Sequence, residues 1–127
     1  MIDALFNAPN YLATKKMLDA TVLRQEAIAS NLGHLEMPNY KRVDVTPSFS
    51  AELRQALGTK SADQINRLQP QIEVDATAVS PNRDGNTVQL EQELLLQNQN
   101  YVAHSLETQM ISGSLLRLKM AITGRPT

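Results

Sequence analysis

The chain has 127 residues, no cysteine, no tryptophan, 42% hydrophobic residues and a formal net charge of −1, enough for one domain and too little for two ordinary ones. The missing cysteines exclude a disulfide framework and a thiolate metal site. The balanced charge argues against a nucleic-acid footprint or a polybasic membrane anchor, and no apolar run approaches the roughly 20 residues of a direct membrane insertion. Aromatics are only 4% of the chain, so a core of Leu, Val, Ile, Met and Ala will be thin.

The start, MIDALFNAPNYLATKK, lacks the basic-then-apolar pattern of a cleavable secretory signal. From Tyr11 to Leu35 the spacing predicts a first helix. Leu18, Val22, Ala29 and Leu32 form its apolar stripe, with Thr14, Thr21 and Gln25 interrupting it. Residues before Pro9 read as frayed.

The stretch SNLGHLEMPNY, Ser30 to Tyr40, is built to end that helix. Gly33 tolerates a left-handed conformation, Pro38 cannot continue a helix and pushes Met37 to be extended, and Asn39 allows another turn. The bland reading is an ordinary helix-to-loop junction.

Residues 36–87 are broken in character. Ser48 to Gly58 reads as a short helix with a serine cap, Phe49, Leu53 and Leu57 on one face, and a glycine stop. Gln71 to Thr77 alternates apolar and polar, as in a half-buried strand or an extended edge segment. Asn82 to Asn86 is strong turn chemistry.

A second, longer helix is predicted from Val88 to Ile122, stopped by Gly124 and Pro126. Leu94, Leu95, Tyr101, Val102, Leu116 and Met120 share a face, on which Asn98, Ser105, Gln109 and Ser112 also lie. Glu91 and Glu93 near its start and Arg117 and Lys119 near its end complement the helix dipole. About 35 residues at about 1.5 Å each span roughly 50 Å, whereas a compact globule of this length is only about 36 Å across. A rod-like shape follows.

The fold class expected is therefore mainly α: one elongated domain over residues 1–127, with two long terminal helices packed as an antiparallel, coiled-coil-like pair around an irregular or β-like middle. The expected packing residues are Leu18, Val22, Ala29 and Leu32 against Leu94, Leu95, Val102, Leu116 and Met120, with Gly113 permitting close approach. A fully buried aliphatic side chain contributes roughly 1.5–3 kcal/mol, and ordering costs about 1–2 kcal/mol per residue. With such mixed stripes, an isolated chain is expected to be partly disordered at its ends and to order on assembly.

Catalytic chemistry is not readable. The glycines are scattered singly, no His/Asp/Glu cluster has metal-ligand spacing, and no nucleophile sits beside a base. No cofactor, metal or enzymatic activity is expected, and the pairs Glu91/Glu93 and Glu73/Asp75 read as solvated edge charge. His104, in VAHSLE, raises a rival reading as a histidine phosphotransfer carrier. Glu107, one turn on, opposes it, because a carboxylate repels a phosphorylated imidazole.

Two motifs carry a resemblance. Asn31, Leu32, Pro38 and Tyr40 in SNLGHLEMPNY resemble the N-terminal signature of bacterial flagellar axial proteins, the rod and hook family. Gly33, His34, Met37 and Asn39 depart from that signature. Asp84-Gly85-Asn86-Thr87-Val88 is similar to the start of the C-terminal helix in a proximal rod member of the family. The resemblance implies a structural subunit of the flagellar basal body, in the periplasmic rod. Its terminal helices would stack with those of neighbours into a helical tube, and it would leave the cell through the flagellar type III export apparatus. The partners implied are other rod proteins, copies of itself, the adaptor FliE and the membrane ring at the rod base. A neighbouring axial component of the same family is the alternative. On this reading Asn31, Leu32, Gly33, Pro38 and Tyr40 set the helix exit, and Asp84, Gly85, Asn86, Thr87 and Val88 the start of the second helix.

Overall fold

The computed structural model describes residues 6–124. The element order is α1 (Pro9–Gly33), β1 (Val43–Val45), α2 (Ser48–Gly58), α3 (Ala62–Arg67), β2 (Ile72–Val74) and α4 (Leu90–Thr123). The molecule is mainly helical, with long helices near both ends, as the apolar periodicity implied. Most of the segment expected to fray, and Pro126, lie outside the described residues.

Helix α1 starts on a proline, whose missing N–H is tolerated in a first turn. Near it the Phe6 and Tyr11 rings meet edge to face at 5.6 Å. The other end corrects the sequence reading. Gly33 is helical, His34 caps the helix at φ −117°, and the left-handed residue of the exit is Asn39, at φ 59°. Asparagine tolerates that region because its short side chain bonds locally, so the turn is made six residues later than expected.

The middle is more regular than its composition suggested. Val43-Asp44-Val45 pairs antiparallel with Ile72-Glu73-Val74, Asp44 lying opposite Glu73. The flanking bonds Asp75 N to the Arg42 carbonyl, 2.9 Å, and Thr46 N to the Gln71 carbonyl, 2.8 Å, fix the register. Helix α2 follows Pro47 with no side-chain cap, so Ser48 does not act as the expected serine cap. Helix α3, absent from the sequence reading, is capped by Ser61, whose Oγ accepts from Gln64 N. Ser61-x-x-Gln64 was a legible capping signal.

The compact part of the core is small. Leu12 and Ala13 of α1 pack with Phe49, Leu53 and Ala56 of α2 and Ile65 of α3, and Leu57 joins their edge. The N-terminal part of α1 is thus held by the short helices, while the rest of it lies along α4.

Helix α4 has 34 residues, about 51 Å at 1.5 Å per residue. Its contacts with α1 step in opposite senses along the two helices: Asn31 meets Glu93, whereas Thr21 meets Asn100, His104 and Glu107. Gly124, at φ +67°, closes it with a bond from its N–H to the Met120 carbonyl, as a left-handed glycine cap does. Arg117 and Lys119 stop short of the last turn, which holds no basic residue.

Candidate functional site

The two sequence motifs are latched to each other in space. Asn86 is completely buried. Its Nδ2 donates to the carbonyl oxygens of His34, Leu35 and Met37 at 2.8, 3.0 and 2.9 Å, and its Oδ1 accepts from Val88 N at 2.8 Å. One side chain therefore binds the carbonyls of the turn that follows α1 and shapes the approach to α4. The backbone joins in: Asn39 N donates to the Asp84 carbonyl at 2.8 Å, Thr87 N to the Tyr40 carbonyl at 3.0 Å, and Thr87 Oγ1 accepts from Arg42 N at 2.8 Å. Gly85 sits at φ +79°, where a Cβ would come within 2.5 Å of Asn39 Oδ1. Only glycine meets both conditions cheaply.

Asn31 does for β1 what Asn86 does for α1. It is buried, accepts from Val43 N at 2.9 Å and donates to the Val43 carbonyl at 2.8 Å, so its amide imitates a neighbouring strand. Its Nδ2 also reaches Glu93 at 3.2 Å. Tyr40 stacks on His34, with centroids 4.5 Å apart and planes within 4°, and its hydroxyl lies 3.1 Å from Ser30 Oγ. Thr87 and Val88 are buried, Leu32 is half-buried, and Gly33, Pro38 and Asp84 are exposed.

A buried ion cluster ties this junction to α4. Arg42 is 2% exposed, and its guanidinium donates to Glu93 at 2.7 Å, Asp75 at 2.6 Å and Asp44 at 3.3 Å. Arg24 of α1 holds the other oxygen of Asp44 at 3.2 Å. Burial lowers the basicity of Arg42, but bonds to Glu93 and Asp75 outweigh it and raise the guanidinium above its ordinary value. Asp75 lies below the usual carboxylate range, first through the Thr77 hydroxyl and then, against a burial penalty, through Arg42. Glu93 and Asp75 are thus partners of a buried arginine rather than the solvated edge charges expected of them. The alternation Arg42-Val43-Asp44-Val45 was the missed signal: it puts two opposite charges on one face of a strand.

The seam between α1 and α4 also corrects the sequence reading. Its fully buried α4 members are Glu93, Asn100 and Glu107, seven residues apart, facing Thr21, Ile28 and Asn31 of α1. Asn100 Nδ2 donates to the Thr21 carbonyl at 2.9 Å. Ile111, Ser114 and Leu118 continue this α4 face half-buried. The expected apolar stripe points elsewhere: Leu94, Leu95, Leu116 and Met120 are exposed and Val102 is 66% exposed. On α1, Val22 is 49% exposed, Ala29 is exposed, and Leu18 and Leu32 are half-buried. Charge and hydrogen bonding, not the greasiest face, chose the seam. Among the described residues Gly113 makes no close helix approach, the nearest atom to its Cβ position being Arg117 Nη1 at 4.0 Å.

Two opposed heptad stripes therefore run along α4. One is the polar seam. The other, Leu95, Val102, Leu106, Gln109, Gly113, Leu116 and Met120, lies on the opposite side of the helix at about 3.6 residues per turn, and its large apolar side chains are exposed among the described residues. Beside the seam, Val22, Gln25 and Ala29 of α1 and Gln97 and Tyr101 of α4 line an open groove of roughly 530 Å³.

Nothing supports the phosphotransfer reading of His104. That side chain is half-buried, its Nδ1 is 3.3 Å from Thr21 Oγ1, and it faces Glu107 in the seam. Among the described residues no group of His, Cys, Asp or Glu could hold a metal ion, and no helix is long and apolar enough to cross a membrane.

No family model matches the chain. It is similar to the flagellar basal body rod protein FlgB of Borrelia hermsii, with 31% identity over 73% of this chain and 80% of that protein.

Proposed function

The chain belongs to the FlgB family of flagellar basal body rod proteins, and we propose that it is a structural, non-catalytic subunit of the proximal rod that assembles through its terminal helices into a helical tube. The observation that carries this reading is the second stripe on α4. Leu95, Val102, Leu106, Leu116 and Met120 are exposed along the full length of the helix, and an apolar helix face of that extent belongs against a partner.

The α1 stripe, Leu18, Val22, Ala29 and Leu32, does not meet the α4 stripe within one chain. On our reading the two meet between copies, as an intermolecular coiled-coil-like pair. A contact between two different faces is heterologous, and repeated without closure it generates an open helical array. Gln25 and Gln109, set among the apolar residues, fix the register of that contact, a role buried polar groups fill at some cost in stability. Gly113 gives the approaching helix room.

Placement in the periplasmic rod, passage through the type III export apparatus without a cleaved signal, and contact with other rod proteins, the adaptor FliE and the membrane ring extend this reading from the family resemblance. So does the assignment of Asn31, Pro38, Tyr40 and Asp84 to Val88 as the motif that sets the angle between the helices. The test is genetic. A strain lacking the gene should be non-motile, with basal bodies halted at the inner ring, and a plasmid copy should restore both. A copy carrying Val102→Asp and Leu116→Asp should fail to do so while still accumulating. Motile deletion cells with complete rods would overturn the proposal.

A further inference from the structure

Two carboxylates are buried in the α1–α4 seam, and the chain treats them differently. Glu93 has a cation, with Arg42 Nε 2.7 Å from its Oε1 and the Asn31 amide on its Oε2. Glu107, fourteen residues further along the same face, is buried as well, but among the described residues it makes no ion pair. Its Oε2 lies 3.1 Å from Thr21 Oγ1.

The Thr21 hydroxyl has one proton and three polar neighbours. The same Oγ1 lies 2.8 Å from the Leu18 carbonyl oxygen and 3.3 Å from His104 Nδ1. A threonine hydroxyl has one proton to give and lone pairs to receive others. A carbonyl oxygen can only accept. When the Thr21 proton goes to Leu18, the shortest of the three contacts, Glu107 can engage the hydroxyl only by bringing a proton of its own. When the proton goes to an ionised Glu107 instead, a full charge stays in the seam without a cation at bonding distance, an arrangement that burial penalises.

We propose that Glu107 is a proton-binding site built into the seam, holding its proton more tightly when the helices are closed on each other than when they part, so that pairing of α1 with α4 responds to pH. In the protonated form the bond runs from Glu107 Oε2–H to Thr21 Oγ1, and Thr21 keeps its proton on Leu18.

His104 faces Glu107 from α4. Arg24 faces it from α1, already engaged with Asp44 at 3.2 Å. Arg54 of α2 lines the same groove of roughly 340 Å³. Cations favour the ionised form, yet burial prevails: the Glu107 carboxyl is pushed above its ordinary 4.5 by desolvation, with Thr21, His104 and Arg24 pulling the other way. The folded value therefore exceeds the unfolded one. Its stabilising effect is fully present below 4.5 and is lost as pH rises through the folded value.

The inference rests on the seam alone and stands or falls separately from the assembly reading. It is tested by carbon-detected NMR titration of the side-chain carboxyls in the full chain, with Glu107 identified by the resonance missing in Glu107→Gln. The expected result is a Glu107 midpoint above those of the exposed glutamates. Each unit of difference should cost the α1 and α4 seam amides about tenfold in exchange protection, beyond the intrinsic rate, as pH climbs through that midpoint. Glu107→Gln should flatten that slope. A Glu107 midpoint among or below the exposed glutamates overturns the proposal, as does an unchanged slope in the glutamine variant. Should Glu107→Gln not fold, selective labelling identifies the resonance and the wild-type titration decides.

Discussion

Replacing Arg42 with methionine probes the junction most sharply. The substitution keeps much of the side-chain length and removes the one cation bonded to Glu93 among the described residues, Glu93 itself having 0% exposure. Breaking a buried pair from one side costs roughly 3–5 kcal/mol, because the surviving charge has neither water nor a partner. Against a domain stability of about 5–15 kcal/mol, that is a large loss. Glu93→Gln should cost less, about 1–3 kcal/mol for imperfectly satisfied buried groups, since Arg42 keeps Asp75 and Asp44. The double change Arg42→Met with Glu93→Leu should recover most of the loss, as apolar replacements of buried pairs are often neutral or stabilising. Urea denaturation followed by circular dichroism, at concentrations too low for self-association, gives the ranking. Finding the double variant as unstable as Arg42→Met, or Glu93→Gln the worst of the three, would refute the assignment of Arg42 as the neutralising partner of Glu93.

The remaining predictions concern the latch and acid. Asn86→Ala takes a donor from three carbonyls, two of which keep a backbone N–H (Met37 N on His34, Tyr40 N on Met37), and leaves Val88 N without its acceptor, so it should cost roughly 1–3 kcal/mol for each buried group left unsatisfied and speed amide exchange at both Val88 and the exit turn. Gly85→Ala should destabilise by about 1–3 kcal/mol through its left-handed backbone, measured the same way, whereas Gly33→Ala, at a helical site with open space, should be neutral or slightly stabilising. Because Asp75 titrates below its ordinary 3.8, its contribution is present above that value and is lost as pH falls through the folded one. Acid unfolding monitored down to that range should be blunted in Asp75→Asn.

The long helices were legible because their signal is periodicity over many turns, which survives local exceptions. The Gly124 stop was legible too, since cap chemistry is local. The seam was not. Nothing in a single stripe says which partner it meets, and the apolar stripe on α4 was assigned to α1 by default. What set the real seam was pairing at a distance: Arg42, just ahead of β1, comes 51 residues before Glu93, and the amides of Asn31 and Asn100 replace what would otherwise be apolar contacts. The two-stranded sheet was half visible: the alternation around β2 was read and that of Arg42-Val43-Asp44-Val45 was not, each strand being three residues long.

The most direct test of the assembly claim exploits the absence of native cysteine. Two singly substituted chains, Ala29→Cys in the exposed α1 stripe and Val102→Cys in the exposed α4 stripe, are mixed, assembled and treated with a short thiol cross-linker. The account predicts a cross-linked species containing one chain of each kind, absent when Val102→Cys is replaced by Arg54→Cys on α2. Equal cross-linking from both positions, or assembled material in which the two stripes never join, would contradict it.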